Sequence, residues 1–282
     1  MGSPFARFLA LAIVLGGIGA AAGFRFTESG ATPAQSVQLL THTGSSSAFQ
    51  AAAQRWLEEF LAGTQAEQRD SAAALRVTLM DGAPVASTRA AVLLGSALKR
   101  LPVSPAYAAL RRGVAGSLRE RLASRIDTGA RWSVGADVAT ARALDAVTEP
   151  SAAGHESELG MTLDLLIELS CGSDPHPNLA VRVECAAAAL TLLAEPALFP
   201  DEDSRLDASD AALTGFLLAV LRAETPDQQK SPRTWPRITT LAWVKTRASM
   251  ALARRTGLED RYRPDGSWAH QVAEANRLEA AL

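Results

Sequence analysis

The sequence predicts an all-α fold, and three observations lead to this prediction. Alanine and leucine dominate the apolar residues, which make up 48% of the 282-residue chain. Both residues favour helices, whereas the aromatic residues typical of strands account for only 5% of the chain. Apolar residues also recur at 3–4 spacing between short segments that contain Ser, Gly or Pro, which are the residues that begin and end helices.

Residues 1–26 form a hydrophobic N-terminal segment. The stretch Phe8–Phe24 has no charged residue and lies between Arg7 and Arg25. Its length is close to the minimum for a membrane span, and the small residues Ala20–Ala22 are typical of a signal-peptide end. We therefore predict a cleaved signal peptide or a retained membrane anchor. Both place the body in the cell envelope: outside the cytoplasm and attached to the inner membrane if the segment is retained, or secreted or periplasmic if it is cleaved.

The body of the chain is predicted to be helical from residue 45 onward. Residues 27–44 contain a polar linker, and residues 45–282 form a helical repeat-like domain. Its first helix follows the capping residues Ser45–Ser47 and ends at Gly63. The same signals predict helix starts at Ser104-Pro105, Ser157, Ser209 and Pro236, helix ends near Gly129, before Pro226 and at Gly257, and a last helix over about 267–281. We expect nine or ten helices in all, mostly antiparallel to their neighbours because the connections are short.

Two of the breaks between helices share a pattern. Asp81-Gly82-Ala83-Pro84 precedes one Ala/Leu-rich helix, and Asp174-Pro175-His176-Pro177 precedes another. In each, an aspartate comes three residues before a proline, and an arginine, Arg89 or Arg182, follows that proline by five. The proline fixes the backbone at the helix start, and the aspartate is able to accept hydrogen bonds from the free N–H groups there.

This pattern resembles HEAT repeats, in which D-x-x-P-x-V-R-x-x-A-A-x-A-L marks the turn into the second helix of each unit. The matching residues are Asp174, Pro177, Val181, Arg182, Ala186 and Leu190. The spacing between Arg89 and Arg182 fits two repeats of HEAT length. The copy expected near residue 130 lacks the proline, so the repeats are degenerate. The resemblance implies antiparallel helical hairpins stacked as a short HEAT-like α-solenoid.

The function that we predict is an exported or membrane-anchored scaffold for a protein partner, because helical solenoids expose extended binding surfaces. Candidate partner-binding residues are Arg89 and Arg182, which follow the repeat turns, and Trp235 and Trp268, which lie near Pro and Gly in breaks. The membrane is the second partner, through the N-terminal segment. A net charge of −2 with mixed signs argues against nucleic-acid binding, which needs a basic surface.

No coherent catalytic motif is found, so we predict no catalytic residue, cofactor or metal. Ser96-Ala97-Leu98-Lys99 fits the S-x-x-K motif of penicillin-recognising serine enzymes, but the S-D-N and K-T-G elements of that class are missing. Two alternatives remain for the function. One is an exported hydrolase on an all-α scaffold, and the other is a structural envelope protein without a specific partner.

The two cysteines lie in one helical hairpin. Cys171, His176 and Cys185 give only three ligands at spacings unlike those of zinc sites. An oxidising compartment favours a disulfide, but Cys171 ends one helix and Cys185 lies two turns into the next, which makes the distance borderline. We predict two free thiols, with Cys185 buried in the hairpin and His176 in a solvated turn.

Overall fold

The structure, a computed structural model, describes residues 45–124, 134–147, 158–194, 203–231 and 240–282. These residues form eleven helices and no strand, which confirms the all-α prediction for the part of the chain described. The helices are α1 (Ser46–Ala62), α2 (Gln65–Asp81), α3 (Pro84–Arg100), α4 (Pro105–Ala123), α5 (Val134–Leu144), α6 (Glu158–Cys171), α7 (Leu179–Leu193), α8 (Asp203–Arg222), α9 (Asp227–Lys230), α10 (Leu241–Thr256) and α11 (Trp268–Glu279). The hydrophobic segment 1–26 and the linker 27–44 lie outside the described residues.

Several helix ends follow the local signals in the sequence. Ser45 caps α1, since its hydroxyl accepts a hydrogen bond from the backbone N–H of Ala48 at 3.2 Å. Prolines occupy the first turns of α3 and α4, as predicted. Gly257 ends α10 with φ of 70°, a left-handed conformation that glycine adopts without strain.

Two predicted helix starts are wrong. The helix expected from Ser209 begins six residues earlier, at Asp203, because Leu206, Leu213 and Leu217 all contribute to the core. The helix expected from Pro236 begins at Leu241, with Thr240 as its N-cap residue. Gly129 and Ser157, which were expected to flank helices, lie outside the described residues.

The larger helices pack as two rows. The helices α3, α5, α7 and α10 each pack against the next, and we call them row B. The helices α2, α4, α6 and α8 likewise pack in order, and we call them row A. Each row A helix also packs against the following row B helix, with which it forms a hairpin. At the ends of the rows, α1 packs on α2 and α3, and α11 packs on α8 and α10.

Small residues allow the row B helices to approach closely. A Cβ atom built on Gly95 of α3 would lie only 2.6 Å from the Cβ of Ala143 in α5. Farther along the row, α7 buries nearly every side chain of its central turns, which include four consecutive alanines, Ala186–Ala189. The alanine-rich composition therefore reflects tight helix–helix packing, with leucines filling the wider spaces of the core.

The hairpin with the cysteines confirms one prediction and corrects another. Both cysteines are free, and Cys185 is fully buried as predicted, whereas Cys171 is partly exposed. The prediction that His176 lies in a solvated turn is wrong, because its side chain is only 2% exposed. Its Nε2 lies 3.7 Å from a carboxylate oxygen of Asp137 in α5, and its Nδ1 accepts a hydrogen bond from the backbone N–H of Asn178.

Candidate functional site

One side of α3, the first helix of row B, presents apolar and small polar side chains to solvent. The residues Val85, Thr88, Val92, Ser96 and Lys99 follow 3–4 spacing and, apart from Pro84 and Arg100 at the two helix ends, are the side chains of α3 that are not buried. Val85 is 62% exposed and Val92 is 42% exposed. We call this set of five residues the α3 stripe.

Farther along the same row, a charged cluster joins three helices. Glu184 of α7 is completely buried and accepts hydrogen bonds from Arg142 of α5 and from Arg247 of α10. The Arg142 bond is 2.6 Å long, and Arg247 makes a bidentate pair with both bonds at 2.8 Å. The side chains of Arg142 and Arg247 remain 44% and 25% exposed. We call Arg142, Glu184 and Arg247 the arginine cluster.

The electrostatics of the arginine cluster keep Glu184 ionised near neutral pH. Burial alone would raise the pKa of Glu184, but the charges and hydrogen bonds of Arg247 and Arg142 outweigh it and lower the pKa to about 2. The pKa of Arg247 is raised by Glu184, with a smaller contribution from Asp145, despite the opposing effect of burial. The cluster therefore has two positive charges and one negative charge.

An aromatic ring borders the arginine cluster. The guanidinium carbon of Arg142 lies 5.4 Å from the centre of the Trp243 ring, within the range of a cation–π contact. Trp243 comes one turn before Arg247 in α10 and is partly buried against the core. At the other edge, Asp145 follows α5 and pairs with Lys99 of the α3 stripe at 2.9 Å. This ion pair links the α3 stripe to the part of row B that holds the arginine cluster.

The two arginines predicted from the repeat pattern occupy similar environments. The guanidinium carbon of Arg89 lies 4.8 Å from the ring centre of Phe49, and that of Arg182 lies 4.7 Å from the ring centre of Phe216. Arg182 also donates a 2.8 Å hydrogen bond from Nε to the carbonyl of Ser170, near the end of α6. Arg89 is 8% exposed, and its burial lowers the pKa of its guanidinium. Both residues thus fasten row B helices to neighbouring helices, and a direct role in partner binding stays a prediction.

The two predicted tryptophans differ in what the structure shows. Trp235 lies outside the described residues, whereas Trp268 begins α11 and is 41% exposed. The Nζ atom of Lys245 lies 5.0 Å from the centre of the Trp268 ring. This ammonium donates 2.6 Å hydrogen bonds to the carbonyl of Ala223 and to Oε1 of Gln271. Burial, with a smaller contribution from Lys230, lowers the pKa of Lys245 to about 8. Its contacts tie the end of α8 to α10 and α11.

The residues examined for catalysis are engaged in other contacts. Ser96 donates its hydroxyl hydrogen to the carbonyl of Val92 in the same helix, while Lys99 pairs with Asp145. Burial raises the pKa of the Cys185 thiol, and the charges of Glu184 and Asp137 raise it further. Cys185 is therefore a protonated, poorly nucleophilic thiol at neutral pH.

Within the ranges given above, no cluster of His, Cys, Asp or Glu has an arrangement suited to a metal ion. None of the helices in those ranges is long and apolar enough to cross a membrane.

Comparison with known proteins gives no relative from which a function can be transferred. No family model matches the chain, and no curated protein or solved structure is significantly similar to it. The contacts and exposed surfaces of the chain itself are therefore the basis for a function.

The arginine cluster was not predicted from the sequence. Its three members come from segments far apart in the chain, and each is a charged residue in a helix rich in small apolar residues. Glu184, the one acidic residue of α7, was the available signal, because a charge among buried alanines requires a partner. Which charges pair across row B depends on the packing of α5, α7 and α10.

Proposed function

We propose that residues 45–282 form a short, degenerate HEAT-like α-solenoid. The two rows of helices support this proposal, because a solenoid stacks successive hairpins so that each row continues from one unit to the next. The two repeat-pattern arginines also support it, since each stacks on a phenylalanine of another helix at nearly the same distance.

We further propose that this solenoid is a protein-binding scaffold and that the exposed side of row B is the binding surface. The observation that carries the proposal is the α3 stripe, where Val85 and Val92 remain exposed in a helix that otherwise buries its apolar residues. Exposed apolar side chains aligned on one helix face are typical of surfaces that another protein covers. The arginine cluster and Trp243 extend this surface with the residue types enriched in protein interfaces.

Site-specific photo-crosslinking in the native host tests this proposal. A photoreactive phenylalanine derivative replaces Val92 in the α3 stripe, and in a control protein it replaces Ala73, an exposed residue of α2 in row A. We expect a discrete crosslinked adduct with another protein from position 92 and none from position 73. Equal adducts from both positions, or no adduct from either, would contradict the row B surface.

The cellular location follows from the N-terminal segment and is also a proposal. We propose that residues 45–282 lie outside the cytoplasm, attached to the inner membrane or released after cleavage. The charge-free stretch Phe8–Phe24 supports this, together with the absence of Lys and Arg between Arg25 and Arg55, because few positive charges after a hydrophobic segment favour export. Protease added to spheroplasts should digest a retained body. A body that stays intact inside spheroplasts until they are lysed would show a cytoplasmic domain.

A further inference from the structure

We propose that the arginine cluster, together with Trp243, recognises an acidic segment of the protein partner. This inference rests on the proposed scaffold function and specifies the partner chemistry at one part of the row B surface. The partner would place an Asp or Glu side chain between Arg142 and Arg247 and an apolar or aromatic side chain beside Trp243.

The arginine cluster has hydrogen-bonding capacity beyond what Glu184 uses. A guanidinium has five N–H donors. Among contacts between described residues, Glu184 receives one bond from Nη2 of Arg142, and from Arg247 it receives one bond from Nε and one from Nη2. Since both arginine side chains are partly exposed, the other N–H groups are placed to meet a ligand at the surface. Carboxylates match this planar donor geometry.

The charge of the cluster selects an acidic ligand. The two guanidinium groups, the Glu184 carboxylate and the neighbouring Lys99–Asp145 ion pair together leave one positive charge in excess, and the negative charge of Glu184 is buried beneath the two arginines. An incoming carboxylate would therefore meet the guanidinium groups before the glutamate.

The cluster is held in place before any ligand binds. Glu184 fixes both guanidinium groups, and the Trp243 ring stacks against Arg142. A long arginine side chain normally loses conformational freedom when it binds a ligand, and here much of that loss has already occurred on folding. The exposed part of Trp243 then offers an apolar contact next to the charge, which would discriminate among acidic segments by the neighbouring side chain.

Selection from a library of random linear peptides displayed on phage tests the inference. The immobilised target is the full chain, with correct folding checked by circular dichroism for each variant. Selections use the wild type, Arg142→Gln and Arg247→Lys. The last variant keeps a charge beside Glu184 in case a neutral residue prevents folding. Arg76→Gln is the matched control, because Arg76 is an exposed arginine of row A that is also paired with a glutamate, Glu120.

We expect peptides selected on the wild type and on Arg76→Gln to be enriched in Asp or Glu next to an apolar or aromatic residue. A synthetic peptide from this set should bind Arg142→Gln at least about tenfold more weakly, since one charge-assisted hydrogen bond is lost. Peptides enriched without acidic residues, or acidic peptides that bind Arg142→Gln and Arg247→Lys as tightly as wild type, would overturn the inference while leaving protein binding by row B intact. Failure to enrich any peptide above the bare support would also overturn the inference, while crosslinking from position 92 decides the scaffold proposal separately.

Discussion

Arg111 shows how a single buried side chain joins three parts of the backbone. Its Nη1 donates 2.8 Å hydrogen bonds to the carbonyls of Leu98 and Leu101 at the end of α3, and its Nη2 donates a 3.2 Å bond to the carbonyl of Ala146 after α5. The side chain is 3% exposed. The carbonyls at the end of a helix have no partner within the helix, so Arg111 satisfies acceptors that burial would otherwise leave without a bond.

Replacement of Arg111 with Met should lower the free energy of unfolding by about 3 kcal/mol, because buried carbonyls lose charge-assisted hydrogen bonds. Urea denaturation followed by circular dichroism measures this change. The matched control is Arg69→Met, at an exposed position of α2, where we expect a change within about 0.5 kcal/mol. Equal effects of the two substitutions would show that the contacts of Arg111 contribute little to stability.

The contribution of Glu184 to the stability of the folded protein should depend on pH. Its pKa falls from the ordinary 4.5 to about 2 on folding, so its ionised form stabilises the folded state. Replacement with Gln should cost about 3 kcal/mol at pH 7, the lower end for breaking a buried ion pair. The difference in free energy of unfolding between wild type and Glu184→Gln should be largest above pH 4.5. It should shrink as the pH falls from 4.5 towards 2, because Glu184 becomes protonated. Urea denaturation of both proteins across this pH range measures the difference. A difference that stays constant with pH would contradict the lowered pKa of Glu184.

At the scale of the element, the contact between α3 and α5 requires a glycine. An added methyl group at Gly95 would lie 2.6 Å from the Cβ of Ala143, which is closer than two carbon atoms approach without repulsion. The two helices therefore pack with almost no space between their backbones at this point, and any larger residue would force them apart.

Replacement of Gly95 with Ala should destabilise the protein by about 1–2 kcal/mol because of this overlap. In an open helix position the same substitution stabilises by about 1 kcal/mol, since alanine has the better helix propensity. Gly113 of α4 is such a position, with no atom within 4 Å of an added Cβ, so Gly113→Ala should raise the melting temperature. Melting temperatures of the two variants should move in opposite directions, and a rise for both would contradict the close approach of α3 and α5.

At the scale of the whole molecule, α7 lies at the centre of the packing. It contacts α5 and α10 in row B and also α6 and α8 in row A. Its thiol, Cys185, is fully buried, whereas Cys171 at the end of α6 is partly exposed. Access to Cys185 therefore requires the rows to separate, and its reactivity reports on the opening of the domain as a whole.

Iodoacetamide should label Cys171 in the folded protein, while Cys185 should react only at the rate of unfolding because its thiol is buried and protonated. Peptide mass spectrometry after timed labelling measures both rates, and urea should accelerate the labelling of Cys185 much more than that of Cys171. Comparable rates in native buffer would show that α7 is accessible. A peptide linking Cys171 to Cys185 in non-reduced samples would contradict the two free thiols.

The sequence by itself determined the all-α fold and many of the helix ends. Alanine and leucine favour helices at every position, and caps such as Ser45, Pro84 and Gly257 act within one or two turns, so their effects can be read locally. The burial of Cys185 was predictable for the same reason, because it begins the apolar run Cys185–Leu190. The start of α8 was misjudged because Ser209 is a good capping residue, whereas packing of Leu206 against the core favours an earlier start.

Tertiary packing alone decided which charged residues meet. His176 lies in a Pro-rich connection that reads as a turn, yet it is buried because α5 brings Asp137 within 3.7 Å of its ring. Arg142, Glu184 and Arg247 come from three separate helices, and nothing local to any of them identifies the other two. A buried charge needs a partner, but the sequence around it does not specify which one. The order in which helices pack along row B supplies that information, and it depends on contacts between residues far apart in the chain.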